Sequence, residues 1–430
     1  MDIQVDNLVL GAGIAGLGAS HSLLERGEKC VVLEKDNTYG GLCGNFEIQG
    51  FRFDRFVHLS FSKIEEVNRL FWESCGGDKG VIKHIPNPYN IYKRNWIKHP
   101  AQNNLYPLSD KEKKLVIDDF LNRPQLSEDN KPKNYEQWLR LQYGNYFAEH
   151  FPMVYTRKYW MKEAKELRTE WTGGRFYQPS VEEVIQGSKT SETPVTYYAK
   201  EQFYPKTGGF KTFFKMLADK SSIEYNNRVV SIDPKEHVVV TNTPEGNNRF
   251  CYNRLISSIP LPEVLQYIKD VPETVNVACS KLEATCGYHV SIAMKTKNIP
   301  PYLWWYIYDE DILSARVYSP SLKSQDNAPE GCSSLQMEVY CKEGQYTEQQ
   351  ILDGTVGKLV ELGIISENEI LFTHVGFEKY GNIIFTEPIY DARKTVRDWL
   401  SSNGIETVGR FGEWDYLWSD QALYSGLTIK

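Results

Sequence analysis

The stretch LVLGAGIAG at residues 8–16 predicts a buried strand that runs through a glycine-rich turn into a helix. Gly11 permits the tight turn, Gly13 lets a phosphate approach the backbone, and Gly16 lets the helix pack close to the strand. Such a unit lays the pyrophosphate of a dinucleotide on a helix N-terminus. The stretch therefore predicts a dinucleotide-binding site at the start of the chain.

The residues that follow narrow the choice of dinucleotide. A second predicted strand, residues 30–33, ends at Glu34, a carboxylate placed to accept hydrogen bonds from both hydroxyls of a ribose. Beyond it lies a second glycine pair, Gly40 and Gly41, where a nicotinamide-binding domain would return to the sheet. Glutamate followed by two glycines is the arrangement of the glutathione-reductase-like FAD proteins. We therefore predict FAD rather than NAD.

The bulk composition is that of a soluble globular protein. The 430 residues are 41% hydrophobic and 24% charged, which favours two or three domains. The net charge of -7, without any basic run, argues against a nucleic-acid partner. No apolar stretch is long enough for a membrane span, and the eight cysteines form no CxxC pair or zinc-like cluster. We expect a reduced, cytoplasmic protein with no metal site.

The pattern along the chain predicts an α/β fold, with a Rossmann-like FAD-binding domain, a helical insertion and a separate antiparallel β-sheet domain. The FAD-binding domain is expected to be discontinuous, at residues 1–75, 200–262 and 370–430. Residues 76–199 are expected to form a mainly helical substrate domain, and residues 263–369 the antiparallel sheet.

Two further segments are expected near the cofactor. Glycines beside an exposed Trp171 and an arginine predict a mobile flap near residues 161–178. The C-terminal segment predicts a strand that reaches Gly409 and Arg410, then a helix that begins near Ser419. The positive end of that helix would meet the electron-rich edge of a flavin ring.

Several distant stretches together resemble the UDP-galactopyranose mutases, flavoenzymes of the amine oxidase and protoporphyrinogen oxidase fold group. Beyond the glycine-rich motif, the matching stretches are WIKHPAQNN at 96–104, YTRKYW at 155–160, KELRTEWTGGR at 165–175, YPKTGGF at 204–210, LSARVYSP at 313–320 and GRFGEWDYLWSDQAL at 409–423. The glycine motif is common to many flavoproteins, whereas YTxKxW and the C-terminal stretch are far more selective.

The resemblance implies roles for individual residues. Arg175 in the flap and Arg316 on the sheet would hold the diphosphate of a sugar nucleotide, as paired guanidinium groups can. Tyr155, Trp160, Asn104 and Tyr416 would also contact substrate, and His58 and Tyr416 would join the two arginines in the catalytic set. The expected cofactor residues are Gly11, Gly13, Ile14, Ala15, Gly16, Glu34, Lys35, Gly40, Gly41, Leu42, His58, Val229, Gly409, Arg410, Trp418 and Ser419.

The resemblance also implies an activity. Reduced FAD would form a covalent adduct with the sugar while an NDP-hexose, UDP-galactose-like, changes between pyranose and furanose forms for cell-surface polysaccharide synthesis. The expected partners are the sugar nucleotide and an unknown electron donor for the flavin, with a homodimer as one option. The chain departs from the family pattern at VHLSF (57–61), at TEPIYD (386–391) and at Trp418.

Two other functions stay open at this point. A redox flavoenzyme on the same scaffold, such as an amine oxidase or a desaturase, would account for these departures. A non-catalytic binding protein of this fold, like the escort proteins for prenylated GTPases, is the third reading.

Overall fold

A computed structural model of the chain describes residues 2–124, 131–173, 176–194 and 199–430. The strands, in chain order, are β1 (Asp2–Leu10), β2 (Cys30–Leu33), β3 (Asn45–Ile48), β4 (Phe51–Asp54), β5 (Val81–His84), β6 (Tyr89–Tyr92), β7 (Asn95–Lys98), β8 (Gln202–Pro205), β9 (Ile223–Glu224), β10 (Arg228–Asp233), β11 (Val238–Thr243), β12 (Gly246–Ser257), β13 (Cys286–Met294), β14 (Trp304–Ile307), β15 (Arg316–Tyr318), β16 (Ser333–Cys341), β17 (Ile370–Glu378) and β18 (Ile405–Thr407).

The α-helices are α1 (Ile14–Glu25), α2 (Glu65–Ser74), α3 (Asp110–Asn122), α4 (Tyr135–Tyr143), α5 (Asn145–His150), α6 (Pro152–Trp160), α7 (Val181–Lys189), α8 (Lys215–Lys220), α9 (Leu261–Gln266), α10 (Glu273–Cys279), α11 (Pro320–Lys323), α12 (Glu348–Leu352), α13 (Lys358–Glu361), α14 (Ile389–Ser402), α15 (Gly409–Gly412) and α16 (Ser419–Leu427). No helix within the described ranges is long and apolar enough to cross a membrane.

The first sheet carries the nucleotide-binding motif. Its strand order is β10-β11-β12-β1-β2-β9, with β18 also beside β12, and β12, β1, β2 and β9 run parallel. Leu8, Val9 and Leu10 are wholly buried, because a parallel strand covered on both faces needs a continuous apolar run. The glycine-rich turn therefore lies at the carboxyl end of a central strand, where open α/β sheets bind ligands.

The second sheet has the strand order β17-β13-β16-β15-β14-β6-β7. Every neighbouring pair is antiparallel except β14 with β6, so the sheet is mixed. The predicted fold class is confirmed, but the strand pairing moves two predicted boundaries. Strands β6 and β7, expected in a helical domain, extend this sheet, and β17, expected in the FAD-binding domain, pairs with β13.

The helical insertion comprises α3 to α7. Helices α3 and α7 are each capped by a serine: the side chains of Ser109 and Ser180 accept hydrogen bonds from the backbone N–H groups of Glu112 and Glu183. Each glutamate completes a capping box with its serine. The insertion packs through aromatic side chains, and α6 lies against β16 of the second sheet.

A buried ion pair joins the two halves of the molecule. Nζ of Lys323, at the end of α11, lies 2.5 Å from Oδ2 of Asp54, at the end of β4, and both side chains are wholly buried. The hydroxyl of Tyr204 and the backbone N–H of Phe210 also donate to the Asp54 carboxylate, at 2.7 and 3.1 Å. The second sheet is thereby fixed against the nucleotide-binding half, with a cavity between them.

Candidate active site

A cavity of about 850 Å³ extends from the glycine-rich turn to the helical insertion. This volume lies in the upper part of the range of small-molecule and cofactor sites. Its walls come from both sheets, from α6 and from the start of α16. Of the predicted site residues, the cavity brings together Gly11, Gly13, Ile14, Ala15, Glu34, Lys35, Gly40, Gly41, Leu42, His58, Tyr155, Trp160, Val229, Arg316, Gly409, Arg410, Tyr416, Trp418 and Ser419.

Gly13, Gly40 and Gly41 form a cradle at one end of the cavity. A Cβ built on Gly13 would meet no atom within 4 Å, so the space beside it is open to a ligand. Gly40 and Gly41 have φ values of 127° and 53°, and the Gly40 N–H donates to the Ala12 carbonyl at 2.9 Å. The glycines thus leave room for phosphates beside the N-terminus of α1, which attracts negative charge.

Gly16 lies outside the lining because it has a packing role. A Cβ on Gly16 would lie 1.9 Å from the carbonyl oxygen of Gly11, so only glycine lets α1 approach the turn. These contacts agree with the roles predicted from the sequence, in which Gly13 leaves space for a phosphate and Gly16 lets the helix pack closely.

Glu34 lies at the ribose end of the cradle. Its carboxylate is buried, with Oε2 accepting from the Ala12 N–H at 2.7 Å and Oε1 from the Asp36 N–H at 3.0 Å. Burial raises the pKa of Glu34, although both backbone hydrogen bonds act in the opposite direction. Each oxygen keeps a lone pair for a ribose hydroxyl, so the residues fit the adenosine half of a dinucleotide.

The start of α16 forms another wall. The Trp418 N–H donates to Oε1 of Gln421 at 3.0 Å, which begins the helix at Ser419 as predicted. Gly409 has a φ of 80°, and a Cβ there would lie 2.4 Å from that of Ala15, so glycine is needed for this approach to α1. The N-terminus of α16 therefore opens into the cavity that also contains the glycine cradle.

His58 lies on the cavity wall. Burial lowers the pKa of its imidazole to about 4. Nδ1 lies 3.2 Å from the carbonyl oxygen of Phe56, which can only accept, so Nδ1 carries the proton. Nε2 is left as a hydrogen-bond acceptor on the cavity wall.

Arg316 is held by a buried carboxylate. Its Nε and Nη2 donate to Oε2 of Glu338 at 3.0 and 2.7 Å, and Glu338 is completely buried. The same carboxylate accepts from the Tyr340 hydroxyl and the Val57 N–H, each at 2.9 Å. Because four donors fix Glu338, the guanidinium of Arg316 is held in one position on the cavity wall.

The comparisons with known proteins concern the fold. Residues 9–73 match the family described as NAD(P)-binding Rossmann-like domain. A crystal structure of reduced UDP-galactopyranose mutase superposes with a TM-score of 0.91 over 98% of this chain and 94% of that chain, at 20% identity. The chain has the UDP-galactopyranose mutase fold.

The sequence relatives of this chain include proteins named as reductases, desaturases and isomerases. The inactive all-trans-retinol 13,14-reductase of Danio rerio is 48% identical over 51 residues, which are 12% of this chain and 8% of the relative. The 4,4'-diapophytoene desaturase (4,4'-diaponeurosporene-forming) of Staphylococcus haemolyticus (strain JCSC1435) is 26% identical over 234 residues, 53% of this chain and 38% of the relative. The chain thus spans less than half the length of these two relatives.

Two predictions about residues near the cavity differ from the structure, and a third is not tested by it. Asn104 lies outside the cavity lining, because its side chain donates to the Pro100 carbonyl at 2.8 Å and accepts from the Thr193 hydroxyl. Trp171, predicted to be exposed, is 5% exposed, and its indole N–H donates to the Arg168 carbonyl at 2.7 Å. Arg175 lies outside the described residues.

The site also contains residues that the sequence analysis missed. Tyr159 follows Tyr155 by one turn of α6, and their rings stack with centroids 5.3 Å apart. Burial raises the pKa of Tyr159 well above its ordinary value, while Arg316 and Arg410 lie close enough to act in the opposite direction. The i, i+4 spacing within YTRKYW is the signal that could have identified Tyr159.

Trp160 has an unpaired donor on the cavity wall. The residue is 4% exposed, and its Nε1 has no hydrogen-bond acceptor among the described residues. A buried N–H without a partner costs about 1–3 kcal/mol. The described residues contain no group of three or more His, Cys, Asp or Glu side chains that could bind a metal ion.

Proposed function

We propose that the protein is an FAD-dependent mutase that interconverts the pyranose and furanose forms of a UDP-galactose-like sugar nucleotide. One observation carries the proposal: the guanidinium of Arg316 is fixed by buried Glu338 and lines the same cavity as the glycine cradle. A fixed cation opposite a leaving diphosphate stabilises the negative charge that develops there. The use of the product in cell-surface polysaccharide synthesis is part of the same proposal.

FAD fits the cavity as its cofactor. The glycine cradle would hold the pyrophosphate, Glu34 the adenosine ribose, and the N-terminus of α16 the pyrimidine edge of the flavin ring. Val229, Lys35 and Leu42 complete the expected contacts. Reduced FAD, the form expected to be active, supplies covalent nucleophilic chemistry at the anomeric carbon, with no net redox change.

The residues of the chain would bind and orient the sugar nucleotide. Arg316, together with Arg175, would pair with the diphosphate, and the hydroxyls of Tyr155 and Tyr416 would contact the substrate. Arg410 lies 4.7 Å from the centre of the Tyr416 ring and donates to the Leu417 carbonyl at 3.1 Å, so it fixes this tyrosine. An unknown electron donor that reduces the flavin is the other expected partner.

The direct test is turnover by the dithionite-reduced protein. Purified protein would be incubated with a panel of UDP- and other nucleotide-linked hexoses, and the products separated to detect furanose forms. Arg316→Gln should retain its flavin and lower kcat/KM about 100-fold, since a charged donor to the diphosphate is lost. Arg249→Gln, which removes an arginine of a surface pair with Asp2, is the matched control. Unchanged turnover by Arg316→Gln would exclude the proposed role.

A redox flavoenzyme is the second candidate, favoured by the similarity to a desaturase over 53% of the chain. Such an enzyme would consume oxygen or NADPH in proportion to its product, whereas a mutase would consume neither. Measuring both during turnover separates the two candidates. A purified protein without yellow flavin would instead favour a non-catalytic binding role.

A further inference from the structure

Arg55 lies on the cavity wall beside the glycine cradle, and the proposed mechanism does not use it. The residue directly follows β4, and its N–H donates to the Gly44 carbonyl at 2.9 Å. Gly44 ends the short turn that begins at Gly41. The backbone of Arg55 is therefore tied to the turn that forms one side of the cradle, and the side chain lines the cavity.

The guanidinium of Arg55 is placed between two carboxylates. Nη1 lies 3.6 Å from Oδ2 of Asp36, and Nε lies 3.5 Å from Oε1 of Glu378. Both distances suit ion pairs but exceed those of good hydrogen bonds. The side chain makes no hydrogen bond to another described residue, so N–H donors of Arg55 remain for a ligand even though two of its nitrogens lie near carboxylates.

The other cations of the described cavity wall are engaged or distant from the turn. Arg316 is bound to Glu338, Arg410 donates to Leu417, and Lys379 lies 3.0 Å from Glu263. Lys35 and Arg228 are exposed on the surface. Arg55 is the described cation that a backbone hydrogen bond ties to the cradle.

We propose that Arg55 donates to the diphosphate of the bound dinucleotide. The N-terminus of α1 contributes about half a positive charge, which leaves most of the two negative charges of a diphosphate without a partner. A guanidinium offers paired donors whose geometry matches phosphate oxygens. Asp36, two residues after the proposed ribose ligand Glu34, lies 3.6 Å from Nη1 of Arg55, so the guanidinium is close to the segment expected to bind the dinucleotide.

The same contact connects the cofactor to the second sheet. Glu378 is the last residue of β17, so Arg55 would bridge the diphosphate and that strand. The inference rests on the proposal that the cavity binds a dinucleotide. It holds whether the enzyme catalyses a sugar isomerisation or an oxidation.

The test compares Arg55→Gln with the wild-type chain after removal of the flavin by dialysis against high bromide. Titrations with FAD, ADP and adenosine, followed by calorimetry, measure three dissociation constants. Arg55→Gln should raise the dissociation constants for FAD and ADP by about 10-fold or more and leave that for adenosine unchanged, since only the first two carry a diphosphate. Arg55→Lys, which keeps the charge, should recover part of the loss.

Arg69→Gln is the matched control, because Arg69 is an exposed partner of Glu73 on α2 and does not line the cavity. Unchanged affinity of Arg55→Gln for FAD and ADP overturns the proposal. An equal loss for adenosine also overturns it, since the effect would then lie at the ribose or in the shape of the pocket. If Arg55→Gln fails to fold, as judged by circular dichroism, Arg55→Lys decides in its place, because lysine lacks the paired donors of arginine: its dissociation constants for FAD and ADP should be raised and that for adenosine unchanged, and wild-type values for FAD and ADP overturn the proposal. Failure of the wild-type chain to bind FAD or ADP would overturn the proposed function too.

Discussion

At the scale of single residues, buried partners fix the positions of side chains in the site. Glu338 is a charged group with no exposure, and it is stable there because Arg316, Tyr340 and the Val57 N–H all donate to it. Removing the charge of such a group leaves its cationic partner buried without compensation. Glu338 is therefore a positioning residue for Arg316.

Glu338→Gln should lower the free energy of unfolding by about 2 kcal/mol, because the half-buried guanidinium of Arg316 loses its counter-charge and its charged hydrogen bonds. It should also raise the KM for a sugar nucleotide and leave the flavin content of the purified protein nearly unchanged. Urea unfolding and steady-state kinetics measure the two effects. Glu361→Gln, which removes an exposed partner of Lys358, is the control and should change neither. An unaltered unfolding midpoint in Glu338→Gln would contradict this account.

His58 should make stability depend on pH. Since burial lowers the pKa of His58 to about 4 from an ordinary 6.5, the unfolded chain binds a proton in this window and the folded chain does not. Stability is therefore full above pH 6.5 and falls by about 3 kcal/mol as the pH drops towards 4. His99, whose pKa burial lowers to about 3, acts with the same sign.

His58→Gln should reduce the slope of unfolding free energy against pH between 6.5 and 4. Denaturant unfolding at closely spaced pH values measures that slope. His237→Gln, at an exposed position, should retain the wild-type slope. A wild-type slope in His58→Gln would show that another group is responsible.

At the scale of elements, α6 is held in place by one buried amine. Nζ of Lys158 donates to the carbonyls of Ile307 and Asp309 at 2.9 and 3.0 Å, and burial lowers the pKa of Lys158 to about 7. Those carbonyls lie at the end of β14, so the lysine fixes the helix to the second sheet. The same helix carries Tyr155 and Trp160, which line the cavity.

Lys158→Met should weaken substrate binding without removing the cofactor. Two buried carbonyls lose their donor, which should cost about 1–3 kcal/mol of stability, and α6 should no longer hold its aromatic side chains in one position. We expect a raised KM for the sugar nucleotide with normal flavin content. Lys189→Met on the exposed face of α7 is the control. A wild-type KM for Lys158→Met would mean that α6 is fixed by its packing alone.

At the scale of the whole molecule, the buried Asp54–Lys323 pair joins its two halves. Lys323→Met should lower the free energy of unfolding by about 3 kcal/mol, because it leaves the Asp54 carboxylate buried without its cation. The double variant Asp54→Asn, Lys323→Met should be more stable than this single variant, since it leaves no isolated charge. Thermal unfolding measures both, and Lys215→Met in an exposed pair with Asp219 is the control. A double variant less stable than Lys323→Met would contradict the expectation.

The sequence predicts those parts of the molecule that depend on neighbours along the chain. The glycine turn, Glu34 and the start of α16 follow from short patterns with a direct physical meaning. Strands β6 and β7 were missed because β6 pairs with β14, more than 200 residues away, and no local pattern encodes that contact. Trp171 was taken as exposed because its neighbours are polar, whereas aromatic rings from other elements enclose it.

Four of the ten tryptophans line the cavity, Trp160, Trp171, Trp304 and Trp418. Indole emission overlaps the absorption of a yellow flavin, so energy transfer from these side chains would dim the intrinsic fluorescence of the loaded protein. The chain thus contains its own optical reporter of cofactor occupancy. Release of the flavin could be followed as a recovery of ultraviolet emission, without attaching any dye.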